Sequence, residues 1–445
     1  MKHGICVTAV LLMACLAMSA ADWPQFRGES ASGVGAGINP PVKWDAVAGT
    51  NVAWKVEVPG LAISSPIVWG DTIYLTTAIS SDKAQKFKTG LYGNTDSASD
   101  LSPHTWQVMA YDKKTGKLLW ERVAHQGVPK TKRHPKSSQA SATPVTDGKV
   151  VVAWFGSEGL YAYSADGKLL WSKDLGLQNA GWFFDPDSEW GVGSSPVIYK
   201  DMVIVLCDRQ KDSFIAAFNL KDGKEAWRTP RAEIPSWATP AVVQGQDRTE
   251  LITNASKAIR GYDPVTGKEL WTLGPNAEIA CPTPISGHGL IFVTTGYAPI
   301  QPIYAIKAGS NGDLTLKDGK ESSDEIVWSK KIGGAYLPTP ILYGDLLYVI
   351  NINGILAAYD AKTGNRIYQQ RVGAGGSFTA SPVAAGDKLY FATEDGDIYV
   401  VKAGAQYELL AQNPMGEAML ATPAWAGDML IVRGERHLFA IAEKK

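Results

Sequence analysis

Eight times along the chain a Ser or Thr stands before a proline and after a small residue or another proline. The copies are Ser65-Pro66, Thr143-Pro144, Ser195-Pro196, Thr239-Pro240, Thr283-Pro284, Thr339-Pro340, Ser381-Pro382 and Thr422-Pro423. A feature repeated on this scale implies an array of similar supersecondary units rather than one layered core. Trp237–Trp271 is the clearest unit. It runs from Thr239-Pro240 into Ala241-Val242-Val243, turns into Glu250–Thr253, continues as Ala258–Tyr262, and closes on Trp271 after the Thr266-Gly267 turn. Four short apolar runs jointed by Gly, Asp and Pro read as four antiparallel strands. Proline suits the first position of a strand, where its missing N–H costs no ladder bond. Small residues suit an innermost strand, where all copies crowd around one axis.

The closing strand recurs around Trp120, Trp171, Trp227, Trp271, Trp328, Tyr368 and Leu409. That is one fewer than the opening motifs, because the chain ends just after the last third strand, Leu438–Ile441. The missing copy is Asn51–Val58, which contains Trp54 and precedes the first motif. The balance predicts an all-β, eight-bladed β-propeller of four-stranded antiparallel blades, its ring closed by the N-terminal strand. The six tryptophans Trp54, Trp120, Trp171, Trp227, Trp271 and Trp328 are expected to dock each blade on its neighbour. After the N-terminal segment, no run of twelve or more residues carries helical apolar spacing.

Residues 1–21 read as a secretory leader: Lys2 and His3, an apolar Ile5–Met18, then Ser19-Ala20-Ala21. Lipid anchoring at Cys15 is the rival reading. Residues 22–50 are expected to form an N-terminal arm and 51–445 the propeller. The location implied is periplasmic or secreted, with no membrane span after leader removal. Forty-three Lys and Arg against 44 Asp and Glu leave no global charge to favour nucleic acid or an anionic membrane. A monomer is expected.

Spacing between the opening motifs varies from 41 to 78 residues, so some connections are lengthened. The insertions are Ser80–Thr105, Ala124–Gln139, Ala180–Trp190 and Gly309–Ser323. The first three fall on the face that carries closing-to-opening and second-to-third strand loops. Long loops on one face of a rigid scaffold are where binding usually resides. Just before the opening motifs stand Trp190, Trp237, Tyr336, Phe378 and Met419. Second-to-third strand loops carry Arg209, Lys257 and Asn351. Together they define a candidate ligand pocket at one mouth of the ring. The basic stretch Lys130–Lys136 is expected to be a solvated loop or a contact for an anionic partner.

Catalytic and metal signals are sparse. The six His are scattered, and neither Asp185–Glu189 nor Glu394–Asp397 has the spacing of a calcium loop. Cys207 and Cys281 lie a blade apart, so both are expected to be free thiols. No catalytic residue and no metal site is assigned.

Ala110–Trp120, AYDKKTGKLLW, returns as Ala358–Gly364 and, varied, as Tyr262–Trp271. This frame resembles the pyrroloquinoline-quinone (PQQ)-type propeller repeat over nearly the whole mature chain. That family includes quinoprotein alcohol dehydrogenases and cofactor-free envelope propellers, among them the propeller lipoprotein of the outer-membrane β-barrel assembly machinery. With its Trp23–Gly28 opening, the chain most resembles exported bacterial PQQ-like repeat proteins. The enzymes of the family carry a vicinal Cys pair and a Glu/Asn/Asp calcium set, and no Cys-Cys pair occurs here. The resemblance therefore implies a non-enzymatic binding or scaffold module without a cofactor. Its partner would be an envelope protein or a small-molecule or carbohydrate ligand. The alternatives are a PQQ- and calcium-dependent oxidoreductase and a carbohydrate-binding or carbohydrate-processing propeller.

Overall fold

The computed structural model describes residues 22–35, 39–91, 96–185 and 187–443. The expected leader, 1–21, lies outside them. Eight antiparallel blades of four strands follow one another around a ring, and one of them gains a short fifth strand. Blade one comprises Ile67–Trp69, Thr72–Ser80, His104–Asp112 and Leu118–Gly127. Blade eight is assembled from both ends of the chain: Ala424–Ala426, Met429–Arg433, His437–Ile441 and, outermost, Val52–Glu57. In that seam Trp54 faces Ala440, Lys55 faces Phe439 and Val56 faces Leu438. The N-terminal strand thus closes the ring.

Burial follows radial position. The middle strand Met202–Cys207 is buried throughout, sandwiched between neighbouring blades, whereas the outer strand Glu225–Pro230 is largely exposed. The outer tryptophans are the exception, because each reaches sideways into the next blade. Trp54 Nε1–H donates to Lys113 O at 3.0 Å, Trp120 to Ala165 O at 3.1 Å, Trp171 to Leu220 O at 2.7 Å, Trp227 to Pro264 O at 3.2 Å and Trp328 to Ala361 O at 2.9 Å. Each acceptor lies in the Asp-x-x-x-Gly-type turn after the neighbour's third strand, or in its variant. At Gly223 the turn needs φ +68°, and a Cβ there would come 2.7 Å from the Trp171 ring. Glycine therefore serves both the turn and the indole that lies on it. The same pairing recurs at Gly116 with Trp54 and at Gly364 with Trp328.

Trp271 departs from the expected docking. Its Nε1–H donates to Glu250 Oε1 in its own blade, at 3.2 Å. Blade five lacks the acceptor turn, and the insertion that replaces it lays Gly312–Asp313 parallel to Trp271–Thr272 as a fifth strand. Leu314 then packs into the cluster around the indole.

The arm does more than pack its aromatics. Trp23 pairs with Val68 of blade one, and Thr146 N–H of blade two donates to Pro24 O at 2.9 Å. The turn Glu29–Ala31 lies against the first strands of blades four and five. Gly33 and Gly35 then exchange backbone hydrogen bonds with Ala384 of blade seven. The arm therefore spans the axis and plugs the end of the channel where the first strands finish. Arg27 is fully buried in this plug and donates to Pro382 O at 2.7 Å and Pro340 O at 2.9 Å, as well as to Ala31 O and Ser32 O within the arm.

Candidate functional site

With one end plugged, the channel becomes a cup of about 650 Å³ open at the other end. Phe26 from the arm lines its base. Above the base, all eight opening-motif hydroxyls form a belt: Ser65, Thr143, Ser195, Thr239, Thr283, Thr339, Ser381 and Thr422. The belt is stitched by its own backbone. Ser65 N–H donates to Thr143 Oγ1 at 2.9 Å, Thr143 N–H to Ser195 Oγ at 3.0 Å, and Ser195 N–H to Thr239 Oγ1 at 3.0 Å. On the other side Thr283 N–H donates to Thr339 Oγ1 at 2.9 Å, Thr339 N–H to Ser381 Oγ at 2.9 Å, and Ser381 N–H to Thr422 Oγ1 at 3.0 Å. The stitching skips the steps into Thr283 and Ser65, which sit on opposite sides of the ring. Those two hydroxyl oxygens are buried without a hydrogen-bond partner.

Aromatic rings wall the mouth. Trp190 and Trp237 lie 5.6 Å apart at 42°, and Trp237 Nε1–H is fixed on Gly191 O at 2.8 Å. Tyr297 and Tyr336 form a second pair at 5.5 Å. His134 meets Trp190 edge-on at 5.5 Å. Its Nδ1 accepts Lys136 N–H at 3.0 Å, which leaves the proton of the neutral ring on Nε2. Burial first, then Lys136 and Arg133, push its pKa down to about 4, so the ring is neutral at pH 7. Cys281 lines the wall with its thiol pushed up to about 12 by burial, and is not a nucleophile at neutral pH. Both described cysteines are free.

The basic stretch is not a solvated loop. Lys130 N–H donates to Glu158 and its ammonium to Ser157 O, while Lys132 N–H donates to Glu189. Lys136 crosses the mouth to blade seven, where its Nζ meets Glu394 Oε1 at 2.7 Å. Glu394 also accepts from Ser377, Thr379 and the Gly90 amide of the blade-one insertion. One buried carboxylate thus clasps two inserted loops. Glu394→Ala is expected to cost about 3 kcal/mol, because it removes the carboxylate that balances the largely buried Lys136 ammonium. Hydrogen exchange should quicken at 86–91 and 133–138; unchanged exchange in both stretches would contradict the clasp.

The sequence-selected rim residues divide. Trp190, Trp237 and Tyr336 line the cup. Phe378 does not: it is buried against Gly354 and Tyr399 between blades six and seven, so Thr379 faces the cavity instead. Met419 is likewise core, and the buried Leu420 beside it lines the cup. Asn351 caps its own turn by accepting the Asn353 and Ile355 amides, and Ile352 and Asn353 reach the lining. Arg209 turns outward onto Leu177 O and the Phe214 ring. Lys257 stays exposed on its turn. Phe26, His134, Lys136, Tyr297 and the hydroxyl belt were missed as lining. The belt's signal was plain, since every opening motif carries a hydroxyl.

Among the described residues no carboxylate lines the cup, and no group of three or more His, Cys, Asp or Glu could hold a metal ion. The lining therefore does not fit the Glu/Asn/Asp calcium set of a quinone site.

These features define an eight-bladed propeller with one plugged end and one aromatic mouth. The chain belongs to the PQQ-repeat family described as outer membrane protein assembly factor BamB, matched over residues 34–181, 104–274 and 255–445. The fold is similar to that of BamB from Moraxella catarrhalis, at 14% identity, TM-score 0.53, covering 83% of this chain and 98% of that one. It is also similar to quinohemoprotein alcohol dehydrogenase from Comamonas testosteroni, at 13% identity, TM-score 0.62, covering 96% and 81%. A curated relative, the tetrathionate hydrolase of Acidithiobacillus ferrooxidans, is 22% identical over 345 residues; the match takes in 72% of this chain and 60% of that protein's length. No helix among the described residues is long and apolar enough to cross a membrane.

Proposed function

We propose that this is an exported, non-enzymatic binding propeller of the cell envelope that takes a small ligand in the aromatic cup. The cup itself carries the reading: a cavity of about 650 Å³ is the size of small-molecule sites. Its plugged end makes it a receptacle rather than a passage. The tilted pair Trp190 and Trp237 supplies rigid contact area at low entropy cost. The stiff, buried belt and the clasped loops hold the site in shape before any ligand arrives, which lowers the ordering cost of binding. The BamB name of the family model and of one structural neighbour supports an envelope setting.

Trp237→Ala is expected to weaken a ligand found by screening at least tenfold. Its cost to stability should be about 2 kcal/mol, because Trp237 is only partly buried at the rim. The measurement is calorimetric titration beside a denaturant melt. A ligand indifferent to both Trp237→Ala and Trp190→Ala would show that binding resides elsewhere.

A protein partner is the second reading, favoured by one observation. Trp182, Phe183 and Phe184 cluster on the third insertion, and Phe184 is 67% exposed. An exposed aromatic cluster of this kind suits a contact surface.

A further inference from the structure

The chemistry of the belt favours one class of ligand. Six of its hydroxyls already use a lone pair to accept a backbone amide from the neighbouring blade. Among the described residues, none of the eight donates its own proton to a protein acceptor. The remaining two, Ser65 and Thr283, make no hydrogen bond through the side chain, though each is about 1% exposed. Buried hydroxyls are normally satisfied. A ring of them with protons to spare calls for an acceptor on the axis.

The surrounding charge agrees. Arg27 reaches from the plug to the carbonyls of Pro340 and Pro382, the residues directly after belt members Thr339 and Ser381. It is fully buried and, among the described residues, bonded only to carbonyl oxygens, with no carboxylate partner. Burial brings its pKa down to about 9, so it stays charged at neutral pH. An uncompensated buried cation is costly. An anion just above it would recover part of that cost. Lys136 contributes little here, since Glu394 neutralises it at the rim. A sugar fits less well: its hydroxyls need acceptors, and the described lining offers no carboxylate.

We propose that the hydroxyl belt, backed by Arg27, is an oxoanion subsite at the base of the cup. It would take the carboxylate or sulfonate end of a ligand whose apolar body rests against Trp190 and Trp237. This rests on the reading of the cup as a ligand site and adds the ligand's charge and orientation. The donors are neutral hydroxyls on a rigid ring, and the buried Ser65 and Thr283 oxygens need only a rotation about χ1 to turn onto the anion.

The test compares 1-naphthalenesulfonate with its uncharged isostere 1-naphthalenesulfonamide by calorimetric titration. The sulfonate should bind the wild-type protein at least tenfold more tightly. In a Ser65→Ala, Thr283→Val double variant the sulfonate-over-sulfonamide preference should shrink at least fivefold, with melting temperature unchanged. Neither substitution removes a hydrogen bond of the folded protein, so the variant should fold. Equal binding of the two compounds to wild type would overturn the oxoanion subsite while leaving the cup reading standing. A sulfonate preference untouched in the double variant would overturn it too, by placing the anion elsewhere. Binding of neither compound would overturn both readings together.

Discussion

Deleting Asn51–Val58 should leave a chain that no longer holds a monodisperse fold. The segment supplies the whole outer strand of blade eight, paired along His437–Ile441. Its removal exposes a row of unpaired backbone groups on a central strand, the template from which edge-to-edge aggregation grows. It also removes Trp54, whose indole docks on Gly116 and donates to Lys113 O of blade one. Val52 and Val58 are buried in the same cluster. Losing the Trp54 side chain alone should cost about 3 kcal/mol, and a typical domain has only about 5–15 kcal/mol in total. The deleted protein should elute as aggregate, or melt far below wild type in a scan. A monomer with the wild-type melting temperature would mean that the ring does not depend on this seam.

Trp271→Ala should cost about 3–5 kcal/mol, as for other fully buried aromatic truncations. Trp271 is 1% exposed, deeper than the half-buried Trp171 and Trp227. Its indole also satisfies Glu250, which has a fully buried side chain and accepts from Arg248 as well. The extra strand Gly312–Asp313 and Leu314 close over it, so truncation would loosen blade four and the blade-five insertion together. Trp171→Ala should cost less, about 2–3 kcal/mol, because part of its ring is already wet. Urea melts of both variants check the order. Equal losses would mean that the added strand does not shield Trp271.

The ring was legible because its causes are local and repeated. Ser/Thr-Pro marks where each innermost strand begins. The turn glycine and closing tryptophan mark where each blade meets the next. Counting both sets was enough to place Val52–Glu57 beside His437–Ile441, more than 380 residues away in sequence. The mouth was legible only in part. Trp190, Trp237 and Tyr336 stand before opening motifs and line the cup, but Phe378 holds the corresponding place and faces the core. In a loop, one residue of backbone twist decides which side chain points to the axis, and no periodicity records it. Lys136 and Glu394 are 258 positions apart in different repeats, so nothing local announces their pairing. The plug escaped for the same reason: Arg27 reads as an ordinary surface arginine until the carbonyls of Pro340 and Pro382 are set around it.

The central claim is that the plugged, aromatic-mouthed channel is the ligand site. The most direct measurement is a crystallographic soak of the protein with a small library of aromatic acids and their amides. Ordered density is expected between Trp190, Trp237 and the hydroxyl belt, with an acid group resting above Arg27. An empty cup, with bound compounds confined to the outer strands or the plugged end, would contradict it.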